Sequence, residues 1–170
     1  MSIRHHGKRQ RTASQGFSLL ELMVVVAIAA ILAAIAIPIY QGYVVRTNRS
    51  AAEGCLSQYA SYMERYYTTN LRYDEIPASS GTAAGTPNPV IGTTGAAGTA
   101  TLVLDCAGTS QTGNSYEYKV PAPSTTGYTV QAIPIGVQAT RDAQCATLKL
   151  NQIGTRTNSG TGTLTQCWGG

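Results

Sequence analysis

The chain has 170 residues, room for one modest folded domain, and carries twelve Lys and Arg against eight Asp and Glu, a net charge of +4. Four of the basic residues, Arg4, Lys8, Arg9 and Arg11, fall in the first 16 positions, where there is no acid, so residues 17–170 are neutral. This excludes a global basic field for nucleic acid over the body of the chain and assigns the positive charge to an N-terminal arm.

The junction after the arm reads Gln15-Gly16-Phe17-Ser18-Leu19-Leu20-Glu21, and every residue from Leu22 to Val45 is uncharged. As a helix that run, about 24 residues at about 1.5 Å each, spans roughly 36 Å and can cross a bilayer. A secretory signal peptide would need an apolar stretch of only about 7–15 residues followed by a small-residue cleavage site. This stretch is too long, and no clear site closes it. A plain single-pass anchor with a cytoplasmic N-terminus accounts for the length and for the basic arm. It leaves Glu21 unexplained. A carboxylate in the apolar part of a membrane costs a few kcal/mol, so it marks a functional position. Pro38 and Gly42 interrupt the run, and a proline removes one helix hydrogen bond and crowds the preceding turn. A kink or melted turn is predicted there.

Arg46 and Arg49 mark the exit from the span. From Ala51 to Thr69, apolar and aromatic residues recur at Ala52, Cys55, Leu56, Tyr59, Tyr62, Met63, Tyr66 and Tyr67. Steps of three and four make one stripe of an amphipathic helix, so a single helix is predicted from about Phe17 to about Thr69. From Pro77 to Gly98 the chain is mostly Gly, Ala, Thr, Ser and Pro, a loop that is ordered only if something pins it. Four strands are predicted after it, at Thr101–Leu104, Tyr116–Val120, Tyr128–Ile133 and Ala146–Leu150, with a turn at Asn151–Gly154. The fold class is therefore α+β: a long N-terminal helix packed on an antiparallel sheet of about four strands. The predicted core is Leu56, Tyr59, Met63, Val103, Tyr118, Val130, Ala132, Leu148 and Leu150.

The four cysteines, at 55, 106, 145 and 167, show no CxxC spacing, which argues against zinc. An even number in an exported chain favours disulfides, and three pairings exist. The simplest topology pairs Cys55 with Cys106, tying the helix to the middle of the domain, and Cys145 with Cys167, pinning the C-terminal tail. The crossed pairings would carry a terminal loop across the sheet.

Enzyme chemistry has no support in the pattern. Both histidines, His5 and His6, lie in the arm and read as solvated residues, so no Ser-His or Cys-His arrangement exists in the body of the chain. No phosphate-binding glycine motif is present. Asp105 and Asp142 stand alone in sequence, without the cluster of oxygen ligands that calcium takes. No catalytic residue, cofactor or metal site is predicted.

The segment GFSLLELMVVVAIAAILAAIAIPIY closely resembles the processing site and assembly helix of type IV prepilins. ERYYTTNLRYD, YTVQAIPIGVQ, CATLKLNQIG and the terminal CW resemble the PilE-like minor pilins and stand in the same order. The resemblance implies a leader over 1–16, a transmembrane and assembly helix over 17–45, and a globular head over 46–170. It implies cleavage between Gly16 and Phe17 by a prepilin peptidase/methyltransferase and N-methylation of Phe17. Glu21 then serves filament assembly by lying near the freed ammonium of Phe17, its own or a neighbour's. The subunit would wait in the inner membrane, N-terminus in the cytoplasm and head in the periplasm, until the inner-membrane assembly machinery moves it into an extracellular helical filament of pilin subunits. The expected function is a minor pilin for pilus assembly, twitching motility and adhesion. The alternatives are the major pilin and a DNA-binding pilin for natural transformation. DNA uptake needs a basic patch, for which Arg65, Arg72, Lys119 and Lys149 are the candidates, with Arg141 and Arg156 in addition.

Overall fold

Helix α1 spans Leu19–Asn70 in the computed structural model, which describes residues 17–77, 85–91 and 100–169. The basic arm with Gly16, and most of the loop predicted over 77–98, lie outside the described residues. The chain divides into two compact units, one ending at Tyr40 and one beginning at Gln41. In the first, every residue from Phe17 to Tyr40 is exposed. The helix continues through Pro38 and Gly42, so the melted turn predicted there is absent. Proline removes one backbone bond, whereas melting a turn would free several more polar groups among apolar side chains.

In the second unit α1 turns one stripe inward: Val45, Ala52, Cys55, Leu56, Tyr59 and Met63 are buried. The helix stops at Leu71, whose φ of 57° is left-handed and whose N–H donates to the Tyr67 carbonyl at 2.7 Å. A residue in that conformation cannot extend a right-handed helix.

Short strands β1 (Glu75–Ile76) and β2 (Thr86–Pro87) pair antiparallel. The main sheet has four antiparallel strands in sequence order: β3 (Tyr116–Lys119), β4 (Thr129–Pro134), β5 (Leu148–Asn151) and β6 (Arg156–Asn158). Helix α2 (Gly136–Arg141) lies between β4 and β5, and helix α3 (Leu164–Trp168) follows β6. Tyr116, Val130, Ala132, Leu148 and Leu150 join Ala52, Leu56, Tyr59 and Met63 in one core.

Three strands stand near their predicted places, but Thr101–Leu104 is not a strand. The N–H groups of Thr101 and Leu102 both donate to the Pro89 carbonyl, at 2.9 and 3.0 Å, and a 3₁₀ turn at Asp105–Ala107 follows. With its backbone bonded to a turn, the segment pairs with no strand among the described residues, and Val103 is 57% exposed rather than in the core. The fourth strand is β6 instead. It is too short and polar to show the alternation that marks a strand, and it forms because the Asn151–Gly154 turn folds it back on β5. Gly154, at φ 77°, supplies the left-handed step of that turn. Tyr118 is only partly buried and stacks on Tyr59 with ring centroids 5.5 Å apart.

The low-complexity stretch is pinned at Asn88, which is fully buried. Its Nδ2 donates to the Tyr73 carbonyl at 2.9 Å and its Oδ1 accepts from the Val90 N–H at 3.2 Å. Disulfides join Cys55 to Cys106 and Cys145 to Cys167, each with a Cα separation of 5.4 Å.

Candidate assembly helix and candidate polyanion face

The first candidate site is the exposed helix itself. Phe17 is 77% exposed, and the large apolar side chains from Leu19 to Ile39 are all half or more exposed. Burying such a side chain is worth about 1.5–3 kcal/mol, so this surface is unstable in water and stable in a bilayer or among like helices. Glu21, in the first turn, is the acid of that stretch. A carboxylate near a helix N-terminus is favoured by the backbone dipole, and in an apolar setting it also seeks a cation.

The second feature ties the head to α1 through groups that stand alone in the sequence. Arg49 and Asp142 form a two-bond ion pair, with Nη2 to Oδ1 at 2.9 Å and Nε to Oδ2 at 3.0 Å. Asp142 is buried, and its Oδ2 also accepts from the Tyr116 hydroxyl and from Gln138 Nε2, both at 3.1 Å. Gln138 Nε2 also lies 3.1 Å from the Val45 carbonyl, and Arg49 donates to the Gln166 carbonyl of α3. One arginine on α1 thus holds both α2 and α3. Burial, reinforced by the Asp142 charge, pushes the Tyr116 hydroxyl well above its ordinary pKa. Sequence reasoning treats Arg49 as a marker of the span's end and Asp142 as isolated, because 93 residues separate them.

At the far end of α1, Glu64 accepts from the hydroxyls of Tyr73 (3.1 Å) and Tyr128 (3.0 Å). Burial, then the Glu64 hydrogen bond, pushes Tyr73 up to about 12.

The basic candidates do not form one patch. Strand register lines up Lys119, Gln131, Lys149 and Thr157 in one row across the sheet. Alternation puts this row on the face opposite Val130 and Leu148, away from α1. Arg65 lies on the exposed side of α1. Arg72 is held by Asp74 at 2.6 Å and Glu75 at 3.0 Å, so its charge is cancelled locally. Asp74 is held below the usual carboxylate range by that Arg72 hydrogen bond. Lys119 has Glu117 at 3.2 Å, and Arg156 lies 5.3 Å from the centroid of the Trp168 ring. The row containing Lys149 borders a shallow cavity of about 370 Å³ lined by Pro121, Thr129, Gln131, Lys149, Asn151, Thr155 and Thr157. It has one cation, no acid and several hydrogen-bonding groups, a lining suited to an anionic polymer. Sequence reasoning names Lys119 and Lys149 but misses the Thr and Asn residues, which only register assembles. Among the described residues no group of three His, Cys, Asp or Glu could hold a metal ion.

Comparison with known proteins agrees with the exposed helix and the head. Residues 11–37 match the model of the prokaryotic N-terminal methylation motif. Residues 38–149 match the family model described as type IV minor pilin ComP, DNA uptake sequence receptor. The chain belongs to this family of type IV pilins. Similar proteins include the type IV major pilin protein PilE1 of Neisseria gonorrhoeae, 40% identical over 73 residues, 43% of this chain and 44% of that protein. The fimbrial protein EcpC of Eikenella corrodens is 39% identical over 74 residues, 44% of this chain and 48% of that one. The chain spans less than half the length of these relatives. A solved type IV pilin from Shewanella oneidensis covers 73% of this chain and 97% of its own, at 23% identity and a TM-score of 0.41.

Proposed function

We propose that this chain is a minor subunit of a type IV pilus, acting in pilus assembly, twitching motility and adhesion. The observation that carries this reading is Glu21 at the edge of an apolar helix that is wholly exposed from Phe17 to Tyr40. In this reading a prepilin peptidase/methyltransferase cuts between Gly16 and Phe17 and methylates the new amino group. The head waits outside the inner membrane while the helix spans it. The assembly machinery then moves the helix from lipid into a bundle of other pilin helices. Glu21 approaches the ammonium of Phe17 there, which offsets part of the cost of burying its charge. Mass spectrometry of the membrane fraction tests the processing: the mature chain starts at Phe17 with one added methyl group. A chain still carrying Met1–Gly16, in cells with active peptidase, refutes it. Glu21→Ala leaves membrane insertion intact and lowers incorporation into sheared pili. Normal incorporation by quantitative immunoblot refutes the role given to Glu21.

A second reading, a DNA receptor for natural transformation, is favoured by the match over residues 38–149 and by the Lys119–Gln131–Lys149 row. Phosphate contacts make binding salt-dependent, and each lysine lost lowers the slope of log K against log salt by about 0.9. Lys149→Ala and Lys119→Ala, titrated with a duplex at several salt concentrations, test it. An unchanged slope in both variants removes this face as the DNA site.

A further inference from the structure

We infer that the base of the head, where α2 and α3 meet α1, is a docking surface for the anionic phospholipid headgroups of the bilayer holding the helix. This rests on the single-pass anchor proposed above.

The first argument is depth along the chain. If Glu21 marks one edge of the hydrocarbon, a core of about 30 Å takes about 20 helical residues, Leu22 to Gln41. Gly42 to Val45 then cross a headgroup layer about 5–7 Å thick. Val45 is the residue whose carbonyl Gln138 of α2 approaches at 3.1 Å. One turn further, Arg49 holds the Gln166 carbonyl of α3. Both short helices are therefore fixed to α1 where the chain leaves the headgroups.

The second argument is the chemistry of that rim. Tyr43 is 71% exposed, Val137 on α2 62% and Leu164 on α3 51%. No packing among the described residues of the head covers them, and Tyr43 is the residue type that settles at a membrane interface. Arg46 and Arg141 are exposed on α1 and at the end of α2. Neither takes part in an ion pair among the described residues. Asp142 is buried and spent on Arg49, whereas Glu53, about two turns along α1 from Arg46, lines the same cavity as Tyr43 and Arg46. Glu53 sets one negative charge against the two cations, so the rim keeps a net positive charge. Two free cations, an interfacial aromatic ring and two apolar side chains match an anionic lipid surface. A neutral lipid surface would use only the last three.

In function, docking would hold the waiting subunit with its base against the membrane and would be released when the helix is withdrawn into the filament.

The test uses the processed full-length chain in nanodiscs of phosphatidylethanolamine and phosphatidylglycerol, compared with phosphatidylcholine alone. Hydrogen exchange is followed in peptides covering 136–142 and 163–169. Slower exchange is expected in the anionic discs. Removing the cations in Arg46→Ala/Arg141→Ala lowers the docking equilibrium constant roughly fivefold per charge, about thirtyfold for both, and abolishes the lipid dependence. Val137→Ser/Leu164→Ser weakens protection in both lipids. A urea unfolding midpoint unchanged from the parent shows that the variants remain folded. Equal exchange in both lipids, or lipid-dependent protection that survives loss of both arginines, overturns the proposal. Protection that follows protein-to-lipid ratio rather than lipid charge also overturns it, because the occupant is then a second copy. A chain that alkaline carbonate strips from vesicles refutes the anchor itself, a failure distinguishable from failure of the rim.

Discussion

Removing the carboxylate of Asp142 is expected to cost the head about 3–5 kcal/mol, the range for breaking a buried ion pair from one side. Asp142→Ala orphans three donors together: the Arg49 guanidinium, the Tyr116 hydroxyl and the Gln138 amide, which reach the carboxylate at 2.9–3.1 Å. Asp142 is 2% exposed, so water cannot replace it freely. A domain of this size has about 5–15 kcal/mol in all, so the variant sits near the limit of folding at 37 °C. Tyr116→Phe removes one neutral donor and leaves the pair intact, so it costs only about 0.5–1.5 kcal/mol. Arg49→Met leaves the carboxylate with two neutral donors and no cation. The assay is urea unfolding of the chain from Gln41 onward, oxidised in the periplasm. The single tryptophan, Trp168, reports the transition from within α3, which Arg49 holds. An Asp142→Ala midpoint within error of the parent, at equal slope, refutes the view that this carboxylate fastens α2 and α3 to α1.

Other outcomes follow from different parts of the head. The bridge Cys55–Cys106 closes a separation of 51 residues and Cys145–Cys167 one of 22. Chain entropy assigns them about 4 and 3 kcal/mol, so Cys55→Ser/Cys106→Ser should lower stability more than Cys145→Ser/Cys167→Ser in the same urea assay. The reverse order refutes the entropic account. Asn88→Ala leaves the Tyr73 carbonyl and the Val90 N–H unpaired, and about 1–3 kcal/mol should be lost, with faster proteolysis between β2 and the Asp105 turn. Unchanged proteolysis removes Asn88 as the pin. Alkaline pH should unfold the head. Burial raises Tyr73 and Tyr118 to about 12 and Tyr128 further, so their contribution is complete below pH 10 and is lost as pH climbs through the folded values. Circular dichroism flat from pH 8 to 12 refutes this.

Local pattern was enough wherever one element answers to its own residues. The uncharged run after Glu21, the three-and-four stripe from Ala52 to Met63 and the alternation in β3, β4 and β5 each report a face to be buried. Burial periodicity is written directly in sequence. Thr101–Leu104 has strand composition, yet its backbone found the Pro89 carbonyl, and β6 took the fourth place on the strength of a turn. Strand identity depends on a partner, which a segment does not carry alone. The Arg49–Asp142 pair, the Asn88 pin and the Lys119–Gln131–Lys149–Thr157 row join residues far apart in the chain. Sequence determined that this chain has an apolar helix with one acid at its edge and a head of nearly balanced charge, eight basic residues against seven acidic over 46–170. The tertiary structure decided which polar groups meet, because hydrogen bonds and ion pairs act over about 3 Å and only the closed fold brings such groups that near.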